Sequence, residues 1–315
     1  MINKLYGIKK LLCNSPMVKI NYEYKGIKRN CYAKLEWYSL TGSVKDRVAY
    51  NIIFNAYKLG ELKRGDKIVE VSSGNMGISI CAIANITQNP VTIIMPKAMS
   101  EERKKLIKLY GATLVEVDDF KAAFDLCAEY VKNGYFCPKQ FENKFNLNVH
   151  ERITGAEIAA KIKNRRVWYF VSGVGTAGTL CGAGGYLKKH LGLKVLAIQP
   201  KNAQILTGEK YPKHHKLQGI SDEIVPKLFS GQLVDRYVEV GDNDALKVAQ
   251  KLCKMLALPV GISSAANFIG CVISGNNAVT IFPDDNKKYL STDLSDLSVS
   301  SELADKIKLI SVKYI

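Results

Sequence analysis

The sequence lacks several patterns that would assign it to a common functional class. Its eight cysteines contain no C-x-x-C pair and lie mostly in apolar runs, which is typical of buried free thiols in a reducing compartment. None of its four histidines has the spacing of a metal site, so we expect no metal and interpret all four as structural or surface residues. No Ser-His-Asp order or paired-carboxylate motif indicates another kind of catalytic centre.

Long apolar runs, internal repeats and low-complexity stretches are missing as well. No segment reaches the roughly 18 apolar residues that a membrane-spanning helix needs, and residues 1–16 lack the sustained apolar core of a leader peptide. We therefore expect a cytoplasmic protein that is not inserted in a membrane. With 315 residues and 47% hydrophobic content, the chain can bury one large core or two lobes.

The formal net charge of +16 raises the question of nucleic-acid binding. Lysines and arginines are spread along helical stretches with acidic residues between them. The densest basic clusters, residues 103–105 and 163–166, lack the interleaved aromatic residues that stack on bases. We therefore expect no nucleic-acid partner. The charge is better explained by solubility and by attraction for anionic amino acids and phosphate.

Strand-like runs alternate with helix-like runs along the chain. The predicted strands and helices include 92–95, 100–110, 113–117, 120–132, 195–198 and 278–282. Such alternation indicates an α/β fold with parallel sheets that are covered by helices on both faces. Because open α/β sheets bind ligands at the carboxyl ends of their strands, the loops that follow strands are the candidate sites.

Lys45 lies in residues 40–47, which read L-T-G-S-V-K-D-R and precede a helical run. A lysine placed after a Gly-Ser turn at a helix start lies near the positive end of the helix dipole. This position disfavours an added positive charge and is expected to lower the pKa of the amine. Such a lysine can act as a nucleophile.

Two further loops have the character of anion-binding sites. Residues 71–77, V-S-S-G-N-M-G, follow a strand-like run and precede a helix-like one, so turn amides and hydroxyls converge at a helix N-terminus, where a carboxylate can bind. Residues 170–179, F-V-S-G-V-G-T-A-G-T, again lie between a strand and a helix. Their glycines allow close approach of the backbone and their threonines add hydroxyl donors, so this loop is chemically a phosphate cradle.

Together these segments resemble the motifs of the cysteine synthase (O-acetylserine sulfhydrylase) and cystathionine β-synthase family of fold type II pyridoxal-phosphate enzymes. Residues 40–47 are similar to N-P-G-G-S-V-K-D-R, residues 72–77 to T-S-G-N-T-G and residues 173–179 to G-V-G-T-G-G-T. Further matches keep the same order over roughly residues 10–292, among them 15–18 (T-P-L-V), 95–103 (M-P-x-x-M-S-x-E-R), 140–143 (Q-F-x-N), 150–157 (H-x-x-T-G-x-E), 261–264 (G-I-S-S) and 289–292 (Y-L-S-T).

The resemblance implies a pyridoxal 5′-phosphate cofactor that is bound as a Schiff base to Lys45, whose amine also removes the substrate α-proton. Cofactor contacts are implied for Lys45, Asn75, Gly175, Thr176, Ala177, Gly178, Thr179 and, beside the pyridine nitrogen, Ser263. Contacts to the amino-acid substrate are implied for Ser72, Ser73, Asn75, Met76, Gln140 and Gly219.

The resemblance also implies an architecture of two lobes with parallel-rich sheets covered by helices, similar to the tryptophan synthase β fold. Residues 48–150 would form a smaller, mobile domain on the substrate side. Residues 1–47 together with 151–315 would form a larger domain that binds the cofactor phosphate. Members of the family suggest a homodimer.

The chemistry that the resemblance implies is substitution or elimination at Cβ of L-cysteine or an O-activated L-serine, through an aminoacrylate. The aminoacrylate then reacts with sulfide to give cysteine, with water to give serine, or with a second thiol to give a thioether. Its release from the enzyme gives pyruvate and ammonia. A catalytically weak relative that acts as a regulatory binding protein is an alternative of another class.

The most instructive departure from the family is residues 218–226, which read Q-G-I-S-D-E-I-V-P where the family usually has Q-G-I-G-A-G-F-V-P. Ser221, Asp222 and Glu223 replace two glycines and an alanine. Carboxylates there would repel hydrosulfide but could accept a proton from water or a thiol, unless they point to solvent. We therefore favour release of hydrogen sulfide from cysteine, with water or thiol addition and Asp222 as a catalytic residue. The alternative is cysteine synthesis from O-acetylserine or O-phosphoserine and sulfide.

Overall fold

The structure is a computed structural model that describes residues 1–208, 214–221, 224–275 and 277–315. Within these residues ten strands form two sheets. The strands are β1 (Met17–Tyr24), β2 (Ile27–Leu35), β3 (Ile68–Val71), β4 (Val91–Pro96), β5 (Thr113–Val117), β6 (Tyr169–Gly173), β7 (Lys194–Pro200), β8 (Arg236–Val240), β9 (Ala278–Phe282) and β10 (Ile307–Tyr314). This mixed α/β architecture confirms the predicted fold class.

Helices connect and cover these strands. The α-helices in the described residues are α1 (Ile2–Ile8), α2 (Lys45–Leu59), α3 (Asn75–Thr87), α4 (Glu101–Leu109), α5 (Phe120–Lys132), α6 (Lys144–Val149), α7 (Ala156–Ile162), α8 (Gly184–Leu191), α9 (Asp242–Leu256), α10 (Ile262–Ser274) and α11 (Glu302–Asp305). π-helical turns occur at His150–Gly155 and Gly178–Ala183, and 3₁₀ turns at Lys9–Leu12, Ile205–Thr207, Gly231–Leu233, Asn286–Tyr289 and Asp293–Ser295. In the part of the chain that is described, none of the helices combines the length and apolar character needed to span a bilayer.

The larger sheet has the strand order β10-β1-β2-β9-β6-β7-β8. Strands β2, β9, β6, β7 and β8 pair in parallel, as the sequence predicts. Strand β1 pairs antiparallel with both β2 and β10, and this edge was not predicted. Lys25 and Gly26 form the turn between β1 and β2, and both take positive φ. Because Lys-Gly is not among the dipeptides that strongly favour a hairpin, the sequence did not indicate this turn.

Alternate residues of the central strands face opposite sides of the larger sheet. Val171 and Ile198 pack with α9 and α10 on one face, whereas Phe170 and Val195 pack with α7 and α8 on the other. Side chains of successive strand residues point to opposite faces, so a strand covered on both sides is apolar throughout. Both faces of the sheet are therefore buried, as predicted.

The smaller sheet has the order β3-β4-β5, with all strands parallel. One face packs against α2 and α3, and the other packs against α5. The predicted domain boundary at residues 47 and 48 lies inside helix α2, and the boundary at residues 150 and 151 lies inside the π-helical turn His150–Gly155. The division into a mobile and a static domain stays a prediction.

A buried ionic cluster fixes the start of helix α2. Arg47 is 2% exposed and donates to both oxygens of Glu36, at 2.6 and 3.0 Å, and to both oxygens of Glu157, at 3.0 and 2.9 Å. Lys34 lies 2.7 Å from Glu157, and the Ser15 hydroxyl donates to Glu36 at 2.6 Å. The cluster joins the N-terminal segment, strand β2, helix α2 and helix α7, and so holds the turn that presents Lys45.

We expect Arg47→Met to destabilise the protein by about 3–5 kcal/mol, because it leaves the buried carboxylate of Glu36 and the partly buried carboxylate of Glu157 without their main partner. Urea and thermal unfolding of the cofactor-loaded protein measure the change. The control is Lys97→Met, which removes an exposed ion pair with Asp118 and should leave the melting temperature unchanged. Equal stability of the parent and Arg47→Met would contradict the assignment of the cluster as a structural anchor.

Candidate active site

The loops at the carboxyl ends of strands from both sheets meet around one cavity. Its walls include the predicted site residues Lys45, Ser72, Ser73, Asn75, Met76, Gln140, Gly175, Thr176, Ala177, Thr179, Gly219 and Ser263. Gly178 lies behind this wall. Asp222 and Glu223 lie outside the described residues. The structure therefore brings together residues that are more than 200 positions apart in the sequence, at the place that a parallel sheet offers for a ligand.

Lys45 is the first residue of helix α2, as the sequence predicts. The carboxylate of its neighbour Asp46 is fully buried and accepts hydrogen bonds from the Thr41 backbone (2.8 Å), the Thr41 hydroxyl (2.5 Å) and the Ser79 hydroxyl of α3 (2.7 Å). Asp46, by holding Thr41, and Arg47, by its ion pairs, anchor the turn that contains Lys45. Lys45 thus lies on a turn held by several hydrogen bonds, which fits the predicted role of a covalent attachment point.

The loop of residues 72–76, predicted to bind an anion, forms a tight turn at the start of α3. The Ser72 hydroxyl oxygen accepts from the backbone N–H groups of Gly74 (3.0 Å) and Gly77 (2.9 Å), which fixes the first turn of α3. Gly74 has φ +147°, and a Cβ there would lie 2.2 Å from Cδ of Arg103, so the position requires glycine. Met76 is buried in the core beneath the loop and also forms part of the cavity wall.

Gln140 and Asn75 are held by hydrogen bonds from their surroundings. The Gln140 side-chain amide donates to the Val71 carbonyl (2.8 Å), and its backbone N–H donates to Glu70 (3.2 Å). Burial raises the pKa of the Glu70 carboxyl well above its usual range. The Asn75 amide donates to Asp284 (2.7 Å), and its oxygen accepts from Lys288 (3.1 Å). Both predicted contact residues therefore have defined orientations.

The predicted phosphate loop leads into the π-helical turn Gly178–Ala183. The Thr176 hydroxyl accepts from Asn146 (2.9 Å), and a Cβ at Gly178 would lie 1.9 Å from Oδ1 of Asn146. Ala177 takes φ 66°, a left-handed conformation that costs an L-residue roughly 1 kcal/mol or more. The family has glycine there. Closely packed backbone at a helix start, with threonine hydroxyls, fits a phosphate group.

His150 lies directly behind this loop and is fully buried. Its Nδ1 is 3.0 Å from the Thr154 hydroxyl, and its Nε2 is 3.4 Å from the Thr179 hydroxyl. Burial lowers the pKa of His150 well below its usual range, and the charges of Lys45 and Arg47 lower it further. The imidazole is therefore neutral, and it supports the loop as a structural residue.

The described part of residues 218–226 approaches the cavity through Gln218, Gly219 and Ile220. Ser221 takes φ 55° where the family has glycine, and its backbone N–H donates to the Val174 carbonyl (2.8 Å). His215 holds the same residue, because its Nε2 lies 3.1 Å from the Ser221 carbonyl while its Nδ1 accepts from the Leu217 N–H (3.2 Å). The segment is therefore fixed up to the residue that precedes Asp222.

Several residues at the site were not singled out from the sequence. Arg103 and Asn267 line the cavity, Asp284 and Tyr289 contact Arg103, and Lys288 contacts Asn75. Asp284 follows the carboxyl end of β9. Arg103 and Tyr289 belong to segments that match family motifs, but the motifs did not indicate what these two residues do. Asp284 and Lys288 had only the weaker signal of following a strand.

The free energy of unfolding should fall at acidic pH if His150 is neutral in the folded protein. Because its folded-state pKa is below the unfolded value of about 6.5, the unfolded chain binds the extra proton as pH falls, and stability is lost below that pH. Relative to His150→Gln, the parent should lose about 1.4 kcal/mol per pH unit between pH 6.5 and the depressed folded-state value. Urea unfolding at pH 7.5, 6.0 and 5.0 measures this difference. The exposed His190→Gln is the control, and a difference that does not vary with pH would show that His150 titrates normally.

Comparison with known proteins agrees with the geometry. Residues 8–284 match the family described as pyridoxal-phosphate dependent enzyme. A cysteine synthase of Staphylococcus aureus is 35% identical over 299 residues, which cover 91% of this chain and 96% of that protein. A hydrogen sulfide-producing enzyme from Fusobacterium nucleatum is 38% identical, with a TM-score of 0.94 over 100% of each chain.

A hydrogen sulfide-producing enzyme has also been solved as an aspartate-to-asparagine mutant in complex with an α-aminoacrylate intermediate. That structure is 39% identical to this chain, with a TM-score of 0.95 over 99% of this chain and 100% of the other. The turn that carries Lys45, the two loops that line the cavity and these similarities lead to one conclusion. The chain belongs to the cysteine synthase family of fold type II pyridoxal-phosphate enzymes, which carry out β-replacement and β-elimination.

Proposed function

We propose that this enzyme releases hydrogen sulfide from L-cysteine and adds water at the same carbon, giving L-serine, with a thiol as a second acceptable nucleophile. The observation that carries the proposal is the position of residues 218–221. Gln218, Gly219 and Ile220 form part of the cavity wall, and the two acidic residues follow directly in the sequence. A segment that is uncharged in the family's usual pattern is acidic here.

The described side chains provide the parts that this chemistry needs. Lys45 would bind the cofactor covalently and, once free, accept the proton from Cα of the substrate. The loop of residues 72–76 would hold the α-carboxylate, and the loop of residues 175–179 would hold the cofactor phosphate. Ser263 would lie at the pyridine nitrogen and leave it without a charged partner. When bound, the cofactor supplies the electron sink that allows the Cα–H and Cβ–S bonds to break.

Acidic residues that follow the cavity-lining segment 218–220 in the sequence would favour water over sulfide as the entering group. A carboxylate repels the hydrosulfide anion, and it can accept a proton from water as the oxygen attacks Cβ. Similarity to hydrogen sulfide-producing enzymes at 38 and 39% identity supports the same direction. The α-aminoacrylate complex of an aspartate-to-asparagine mutant supports a role for an acid in the step that consumes this intermediate.

Cysteine synthesis from O-acetylserine or O-phosphoserine is the second candidate. The 35% identity to cysteine synthase over nearly the whole chain favours it. Incubation with L-cysteine alone, and separately with O-acetylserine and sulfide, followed by mass identification of products, distinguishes the two. Serine and sulfide from cysteine support the proposal, whereas efficient conversion of only O-acetylserine and sulfide would favour the synthase.

A cytoplasmic homodimer is also part of the proposal. The free state of all eight cysteines supports a reducing compartment. Light scattering of the cofactor-loaded protein would support the dimer with a mass twice that of the chain, and a mass equal to one chain would contradict it.

Lys45→Ala should lower turnover of L-cysteine by roughly 10³-fold or more, because it removes both the attachment point and the base for the α-proton. Sulfide release under saturating cofactor measures the loss. Lys58→Ala, at the exposed opposite end of the same helix, is the matched control and should retain full activity. Rapid repeated turnover by Lys45→Ala without an added amine would disprove the assignment.

Asp222→Asn should release about one sulfide per active site at near the parent rate and then form serine slowly. The amide keeps the shape of the side chain but cannot accept the proton from water. Rapid-mixing measurement of sulfide, together with serine analysis, separates the two phases. Glu223→Gln tests the neighbouring acid, and the exposed Asp125→Asn is the control. Parent-like serine formation by Asp222→Asn would remove the acid from the reaction and favour the synthase.

A further inference from the structure

We propose that Arg103 is a positioning residue that couples the substrate loop, residues 72–76, to the segment that begins at Gln218, and thereby determines whether the reaction ends in nucleophile addition or in release of pyruvate. The inference rests on the proposed function, because it concerns the second half of that reaction. It assigns to one buried guanidinium a role in the fate of the bound substrate after sulfide has left.

The contacts of Arg103 join three parts of the site. Its Nη1 donates to the Ser73 carbonyl in the substrate loop (3.0 Å) and to Oε1 of Gln218 (2.8 Å). Its Nη2 donates to the Tyr289 hydroxyl (2.5 Å) and lies 3.5 Å from Asp284. One nitrogen therefore connects the smaller sheet's loop directly to the segment that leads to Asp222.

Packing leaves this guanidinium little freedom. Arg103 is 1% exposed, its guanidinium carbon lies 4.5 Å from the centre of the Tyr289 ring, and its chain passes against Gly74 so closely that no Cβ fits there. A planar guanidinium can meet several acceptors at fixed angles, whereas the ammonium of lysine is a single point charge. A movement of the substrate loop that shifts Ser73 must therefore also shift Arg103 and Gln218.

This linkage matters after the Cβ–S bond has broken and the sulfur has left with its electron pair. Water can then add to Cβ, giving serine, or the bound group can be released and hydrolysed to pyruvate and ammonia. Both outcomes use the same lysine and the same cofactor site. The ratio of serine to pyruvate therefore reports how well the nucleophile is delivered, independently of how much enzyme is folded.

The test uses the cofactor-loaded enzyme with L-cysteine and three variants. Gln218→Leu removes the acceptor of Arg103 and should lower the serine-to-pyruvate ratio at least fivefold. Gln218→Glu keeps an acceptor for the guanidinium and should hold the ratio within twofold of the parent. Arg103→Lys should lower the ratio as Gln218→Leu does. In the Gln218→Leu background, Arg103→Lys should lower the ratio by a smaller factor than it does in the parent, because the Arg103–Gln218 hydrogen bond is already absent there.

Each outcome decides the inference. An unchanged ratio in Gln218→Leu, or additive effects of the two substitutions, would overturn the coupling and leave Arg103 a purely structural residue. If Arg103→Lys fails to fold, the comparison of Gln218→Leu with Gln218→Glu still decides. If the parent makes no serine from cysteine, the proposed function fails. In that case the same variants are given O-acetylserine and sulfide, and the ratio of cysteine to pyruvate formed is measured. This ratio tests the coupling independently of the proposed function.

Discussion

The site depends on one buried carboxylate, that of Asp284, which follows strand β9 and has no exposed surface. Its Oδ2 accepts from the Asn75 amide (2.7 Å) and the Tyr289 hydroxyl (2.7 Å), and Arg103 lies 3.5 Å away. Burying a charge is costly unless donors surround it. These donors come from helices α3 and α4 beside the smaller sheet and from the turn after β9. Contacts to Oδ2 of Asp284 therefore connect helices α3 and α4 beside the smaller sheet to the segment that follows strand β9 of the larger sheet.

A second group of buried charges performs the same task for Lys45. Asp46 connects the turn of residues 40–47 to helix α3. Arg47 connects the same turn to Glu36, which follows strand β2, and to Glu157 of helix α7. The two loops that we predict to bind anions are positioned by neutral groups instead, Ser72 in one and Asn146 with Thr176 in the other. Asp46 and Arg47 thus hold the turn that presents Lys45, whereas the loops of residues 72–76 and 175–179 are held mainly by neutral hydrogen-bonding groups.

Much of this arrangement could be predicted because it is local. Strand β5, helix α5 and strand β9 have the predicted bounds, and the loops that follow the strands line one cavity as expected. The roles of Asp284 and Lys288 could not be predicted, since each depends on partners distant in sequence. The antiparallel edge of the larger sheet was missed because its Lys25-Gly26 turn is an uncommon hairpin sequence. Asp222 lies outside the described residues, so its role stays a prediction.

The central claim is that Lys45, among the lysines near the cavity, is the one that carries the cofactor. Lys288 is the rival, because it is buried beside Asn75 and burial lowers its pKa despite the opposing effect of Asp284. Borohydride reduction of the cofactor-loaded enzyme, followed by proteolysis and tandem mass spectrometry, locates the attached group. Our account predicts the modification on the peptide that contains Lys45. Modification of Lys288 with Lys45 unlabelled would contradict it.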